Sequence, residues 1–135
     1  MSNTTNAVSE GRPFERVFRV DISKLNNGAG VTATGTTVLM PLAGIRVLGT
    51  ETEIITPSTA ATLTADVGDG ATATRFQANT DLKAAAGTIV ASTIAAAPFG
   101  NASTASLTIT WDHTATNGVF LLRVYGYARR EPRNT

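Results

Sequence analysis

Ala105-Ser106-Leu107-Thr108-Ile109-Thr110-Trp111-Asp112 alternates strictly between apolar and polar residues. A period of two places Leu107, Ile109 and Trp111 on one face and the threonines on the other, the pattern of a half-buried β-strand. An amphipathic helix would instead repeat its apolar residues every three or four positions. His113-Thr114-Ala115-Thr116-Asn117-Gly118 follows as a hairpin-type connection. The chain then runs through Val119-Phe120-Leu121-Leu122-Arg123-Val124-Tyr125-Gly126-Tyr127-Ala128. Phe120, Leu122 and Val124 fit a core face, while Leu121, Arg123, Tyr125 and Tyr127 take the other. This long strand either sits in the middle of a sheet or carries an interface on its second face.

Working back from this end, Ala61-Thr62-Leu63-Thr64-Ala65-Asp66-Val67 repeats the alternation with Leu63, Ala65 and Val67 inward, and Gly68-Asp69-Gly70 turns the chain. Residues 44–55 read as a long strand bent at Gly49 and closed by Pro57. Val38-Leu39-Met40-Pro41-Leu42 is a short apolar run. Pro41 cannot donate to a ladder, so this strand is an edge or ends there. Phe14, Phe18, Val20 and Ile22 share one face of a first strand, with Arg19 and Asp21 opposite. Asn26-Asn27-Gly28-Ala29-Gly30 is a turn, since Asn and Gly accept positive φ. Residues 75–78 are a short strand or turn, residues 80–87 fit one helical turn capped by Thr80, and residues 88–94 suit another strand. About eight short strands, with no amphipathic helix of ordinary length, give an all-β antiparallel β-sandwich, jelly-roll-like. Residues 1–12 form a polar arm, residues 13–129 the sandwich, and residues 130–135 a basic tail.

The composition fits a protein that binds rather than catalyses. Among 135 residues, 42% are hydrophobic, enough for one sizeable core, and 16% are charged. The net charge of +1 supplies no field for nucleic acid or an anionic membrane, so neither is expected as a partner. Nine arginines against two lysines favour planar pairing with carboxylates at protein contacts. With no cysteine there is no disulfide scaffold or thiolate metal site, in keeping with synthesis in a reducing cytoplasm. No run reaches the length of a membrane span, and the polar N-terminus lacks a signal-peptide pattern, so neither a membrane anchor nor canonical secretion is expected.

No set of residues points to chemistry. His113 is the one histidine and lies in a turn, where it reads as a solvated side chain. Asp66, Asp69 and Asp81 are the best carboxylate candidates. Asp66-Val67-Gly68-Asp69-Gly70 superficially resembles a calcium loop, but it lacks the alternating oxygen ligands and the distal glutamate. Aspartate and glycine in such a place are ordinary turn formers. Trp111 shares a face with Leu107 and Ile109 and reads as core. No catalytic residue, metal or cofactor is expected. The candidate contact residues are Leu121, Arg123, Tyr125 and Tyr127 on the second face of the last strand, with Arg12, Arg16, Arg129 and Arg130 near the two ends.

Residues 61–70, then Arg75-Phe76, then Asp81-Leu82 and a small-residue run ending at Gly87, resemble the small β-sandwich structural proteins of tailed-bacteriophage virions. In those, a strand of the form T-L-x-V-G-D-G is followed by R-F and a short Ala-rich segment. The two closing strands are similar as well, and the likeness covers residues 14–128. The resemblance implies a capsid decoration or cement protein, made in the host cytoplasm and carried in the virion. It implies the major capsid protein as partner and a symmetric homo-oligomer, a trimer being favoured. It brings no catalytic residues. The alternative is a carbohydrate- or receptor-binding module of a head fibre or tail, which calls for an exposed aromatic platform or a bound calcium.

Overall fold

A computed structural model of the chain describes residues 12–92 and 106–128. Eight strands carry the described fold: β1 (Arg12–Asp21), β2 (Thr36–Pro41), β3 (Ile45–Thr56), β4 (Thr64–Gly68), β5 (Gln77–Asp81), β6 (Ile89–Ala91), β7 (Ser106–Trp111) and β8 (Val119–Ala128). β1 opens at Arg12, ahead of the start near Phe14 that the apolar pattern suggests. The strands form two antiparallel four-stranded sheets, ordered β1-β8-β3-β6 and β2-β7-β4-β5. Apart from the β4–β5 hairpin, successive strands alternate between the sheets. This is the jelly-roll arrangement of a β-sandwich. Among the described residues no helix is long and apolar enough to cross a membrane.

Local sequence explains the main departures from regular strands. Asp21 ends β1 by accepting from the Ser23 amide at 3.1 Å and the Ser23 hydroxyl at 2.6 Å, which starts a short 3-10 segment over Ile22–Gly28. Asn26, Asn27 and Gly28 then take positive φ, as the turn reading requires. In β3 the buried side chains are Ile45 and Val47, then Thr50, Thr52 and Ile54. The change of phase is made by a bulge between Val47 and Gly49 against Tyr125 and Gly126 of β8. Leu48, the extra residue, points to solvent at 42% exposure. A single inserted residue thus keeps both halves of a twelve-residue strand facing the core.

The core lies between the sheets. Leu63, Val67, Leu107, Ile109 and Trp111 meet Val47, Ile54, Phe120, Leu122 and Val124. Each such side chain contributes about 1.5–3 kcal/mol on burial. Trp111 is 1% exposed and meets the Phe120 ring edge-on, with centroids 6.1 Å apart. Its indole N–H donates to the Thr37 hydroxyl at 2.9 Å, so its polar atom is satisfied. Toward β5 the core becomes polar. Gln77, 1% exposed, donates to Thr50 at 3.0 Å and accepts from Thr52 at 3.1 Å and from Thr80 at 2.6 Å. The amide thereby joins β5 to β3 of the opposite sheet.

Two local expectations are corrected. The connection between β7 and β8 does not make a hairpin, because β7 pairs with β2 and β4 while β8 pairs with β1 and β3. It crosses between the sheets, held by paired hydrogen bonds between Val31 and Ala115. A six-residue polar turn serves either purpose, and the pairing of the flanking strands decides. Residues 80–87 form no helix. Thr80 lies in β5 with its hydroxyl on Gln77, and it is Asp81 that caps the following turn, accepting from the Lys83 amide at 2.9 Å.

Candidate functional site

β8 is a central strand, flanked over nearly its whole length by β1 and β3. Its inner row Phe120, Leu122 and Val124 is buried, which turns Leu121, Arg123, Tyr125 and Tyr127 to the outer face. Register sets their neighbours. Leu121 lies between Arg19 and Glu53, Arg123 between Val17 and Glu51, Tyr125 between Glu15 and Gly49, and Tyr127 between Pro13 and Arg46.

Arg123 organises this face. Its guanidinium donates to Glu15 of β1 through Nε and to Glu51 of β3 through Nη1, the latter at 3.1 Å. It also stacks over the Tyr125 ring, 4.4 Å from the centroid. The hydrogen bond to Glu15, assisted by Glu51, holds the Arg123 pKa above its ordinary value. One side chain therefore ties three strands together across solvent. Tyr125 is held between Arg123 and the bare backbone of Gly49, while Tyr127 projects further, at 43% exposure. Pro13, Leu48 and the two tyrosines line a shallow depression of about 450 Å³ at this end of the sheet.

The outer face carries more apolar surface than β8 alone supplies. Val17 pairs with Arg123, and Ile89 pairs with Glu53, which itself pairs with Leu121. These two are 52% and 61% exposed, and Leu48 joins them through the bulge. Sequence reasoning missed all three. Val17 falls on this side by the alternation of β1, whereas Ile89 and Leu48 are placed by strand order and by the bulge. The face is mixed rather than a continuous apolar stripe, since Arg123 interrupts it between Leu121 and Tyr125.

The remaining candidate residues lie elsewhere. Arg12 and Arg16 pair with Ala128 and Val124, so they share the inner row of β1 with Phe14, Phe18 and Val20. At this edge Arg12 and Arg16 stay exposed at the rim of the sandwich while Phe14 and Phe18 are half-buried and Val20 is buried, and Arg16 sits 5.3 Å from the Phe18 ring centroid. Arg129 and Arg130 lie outside the described residues. The three aspartates are apart and serve their own turns. Asp69, fully buried, accepts from the Ala71 amide at 3.0 Å, the Thr72 amide at 2.7 Å and the Arg75 side chain. Asp66 accepts from the Asn79 amide at 2.8 Å. Among the described residues no group of three or more histidines, cysteines or carboxylates could hold a metal ion. His113 is half-buried rather than solvated, and its Nδ1 is shut off from solvent with no hydrogen-bond partner among the described residues.

Fold and surface together define an eight-stranded jelly-roll sandwich with a charge-clamped aromatic outer face. The chain is similar to a chain of the cyanophage Pam1 capsid asymmetric unit, with a TM-score of 0.67 and 20% sequence identity. The match covers 88% of this chain and 86% of that one, so the likeness extends over nearly the whole of both. At that identity it establishes a shared fold, in agreement with the resemblance to phage β-sandwich structural proteins. No protein-family model and no curated protein sequence matches the chain.

Proposed function

We propose that this chain is a non-enzymatic structural protein of a phage virion, a decoration or cement protein that binds the major capsid lattice. The observation that carries the reading is the near-complete fold likeness to a chain of a phage capsid asymmetric unit. The outer face of β1-β8-β3-β6 supports it. Arg123, Tyr125, Tyr127, Val17 and Ile89 combine aromatic, arginine and aliphatic surface of the kind enriched at protein contacts. In this reading the mechanism is passive. Copies of the chain, as a symmetric oligomer with a trimer favoured, bridge neighbouring capsid subunits and oppose rupture. Residues 1–11, ahead of β1, reach a neighbouring subunit, and the arginines near both ends, Arg12, Arg16, Arg129 and Arg130, pair with acidic capsid groups. Many weak contacts acting on one lattice give high occupancy.

The test is reconstitution. Capsids prepared without the chain are mixed with the purified protein and sedimented, and bound copies are counted. Tyr127→Ala with Ile89→Ser is expected to lower occupancy at least about tenfold, a loss typical of removing central interface anchors. Deleting residues 1–11 is expected to lower it as well. Unchanged occupancy in the first variant would remove the outer face from the contact, and in the second would remove the arm.

A further inference from the structure

β1 reads Arg12-Pro13-Phe14-Glu15-Arg16-Val17-Phe18-Arg19-Val20-Asp21. It pairs with β8 along one side for all ten residues, and among the described residues no strand pairs with its other side. An edge of this length presents unpaired amide and carbonyl groups to any extended chain. β2 is the facing edge of the second sheet, so the sandwich is open along this flank. Between the two edges lies a cleft of about 310 Å³ lined by Phe18, Leu25 and Leu39, with the charged side chains Arg19, Asp21 and Lys24 also lining it. These three apolar side chains are half-buried and pack on the core from one side only.

The less compensated charge on this flank is positive. The two acids of β1 are engaged within the fold, Glu15 by Arg123 and Asp21 by the Ser23 amide and hydroxyl. Its three arginines are less engaged. Arg12 makes no ion pair among the described residues, and Arg16 rests on the Phe18 ring. Arg19, 61% exposed, makes only a long ion pair with Asp21, at 3.9 Å. Arginines on an edge strand also discourage self-pairing, and this arrangement does more than that. It sets a cationic rim beside an open hydrogen-bonding edge and an unfilled apolar cleft.

We infer that β1 accepts an extended acidic segment of a different protein as an added strand of its sheet. Main-chain hydrogen bonds to the free side of β1 supply affinity. Carboxylates of the segment face Arg12, Arg16 and Arg19, and an apolar side chain beside Phe18 enters the cleft against Leu25 and Leu39. The inference rests on the free edge and its charge, and it stands whether or not the partner is a capsid subunit.

The probe is a ten-residue peptide of glutamate, valine and threonine, matched to the length of β1, with a counterpart in which lysine replaces glutamate. Both are titrated into the full-length protein and followed by amide NMR shifts and hydrogen exchange. The acidic peptide is expected to bind saturably, to slow exchange of β1 amides, and to weaken as salt rises. The lysine peptide is expected to have no such effect, and Arg16→Glu with Arg19→Glu to weaken the acidic peptide at least about tenfold. Both positions are exposed, and amide spectra confirm that the variant keeps the fold. Absence of saturable binding, equal binding of both peptides, or shifts confined to the β8 face would overturn the inference. So would β1 protection that rises with protein concentration alone, which would assign the edge to a second copy of this chain.

Discussion

Tyr125 of β8 lies across Gly49 of β3, its ring taking the space a side chain would fill. A Cβ built on Gly49 would stand 2.6 Å from Tyr125 Cζ, well inside contact distance. Glycine at this bulge therefore seats the aromatic ring of the outer face. Gly49→Ala is expected to displace Tyr125 from Arg123 and, because the atoms it meets are the outer end of a solvent-facing ring, to cost no more than about 1 kcal/mol. Urea unfolding of Gly49→Ala measures it. In a Tyr125→Ala background most of that cost should vanish, because the clash is with the ring.

Gln77 holds the polar end of the core. Its amide meets Thr50, Thr52 and Thr80 within a region closed to solvent. Gln77→Ala strips partners from three hydroxyls and opens a cavity, so a loss of about 2–4 kcal/mol is expected in chemical denaturation. A loss under about 0.5 kcal/mol would mean that the three threonines satisfy one another.

Asp69 folds the loop after β4 back over the outer side of its sheet. The carboxylate collects the Ala71 and Thr72 amides and Arg75, and Gly68 leaves room for the Thr72 and Ala73 carbonyls to close on it. Asp69→Ala is expected to cost about 1–3 kcal/mol and to speed amide exchange at Ala71 and Thr72. Exchange at those amides equal to that of the unaltered protein would contradict the capping role.

Asp21 links stability to pH. Hydrogen bonds from the Ser23 side chain and backbone hold its carboxyl below the ordinary value of 3.8. A depressed carboxylate stabilises the fold above its unfolded pKa, and the contribution is lost as pH falls through the folded value. Asp21→Asn should therefore be less stable than the parent at neutral pH, with the gap closing below pH 3.8. Urea midpoints across that range test it. A gap that stays constant with pH would refute the linkage.

Much of the sandwich was legible in the sequence because most strands keep one face dry. The alternation of β7 and β8 assigns Leu107, Ile109, Trp111, Phe120, Leu122 and Val124 to the core, and all are buried. β5 was harder, since Gln77 and Thr80 are buried for their hydrogen bonds rather than for hydrophobicity. The Leu48 bulge is set by packing against β8, which local pattern does not carry. The outer side of β8 was also legible, as Leu121, Arg123, Tyr125 and Tyr127 alternate with the core row. The clamp on it was not. Glu15 and Glu51 stand 108 and 72 residues from Arg123, and only strand order brings them together.

On the proposed reading, the most direct measurement is the copy number of this chain in virus particles purified from the source that encodes it, by quantitative protein mass spectrometry against the major capsid protein. A fixed symmetric ratio is expected, with hydrogen exchange of β8 and β1 slowed on the particle relative to the free protein. Particles that lack the chain, or that carry it with β8 and β1 exchanging as they do in solution, would contradict a capsid-binding role for this face.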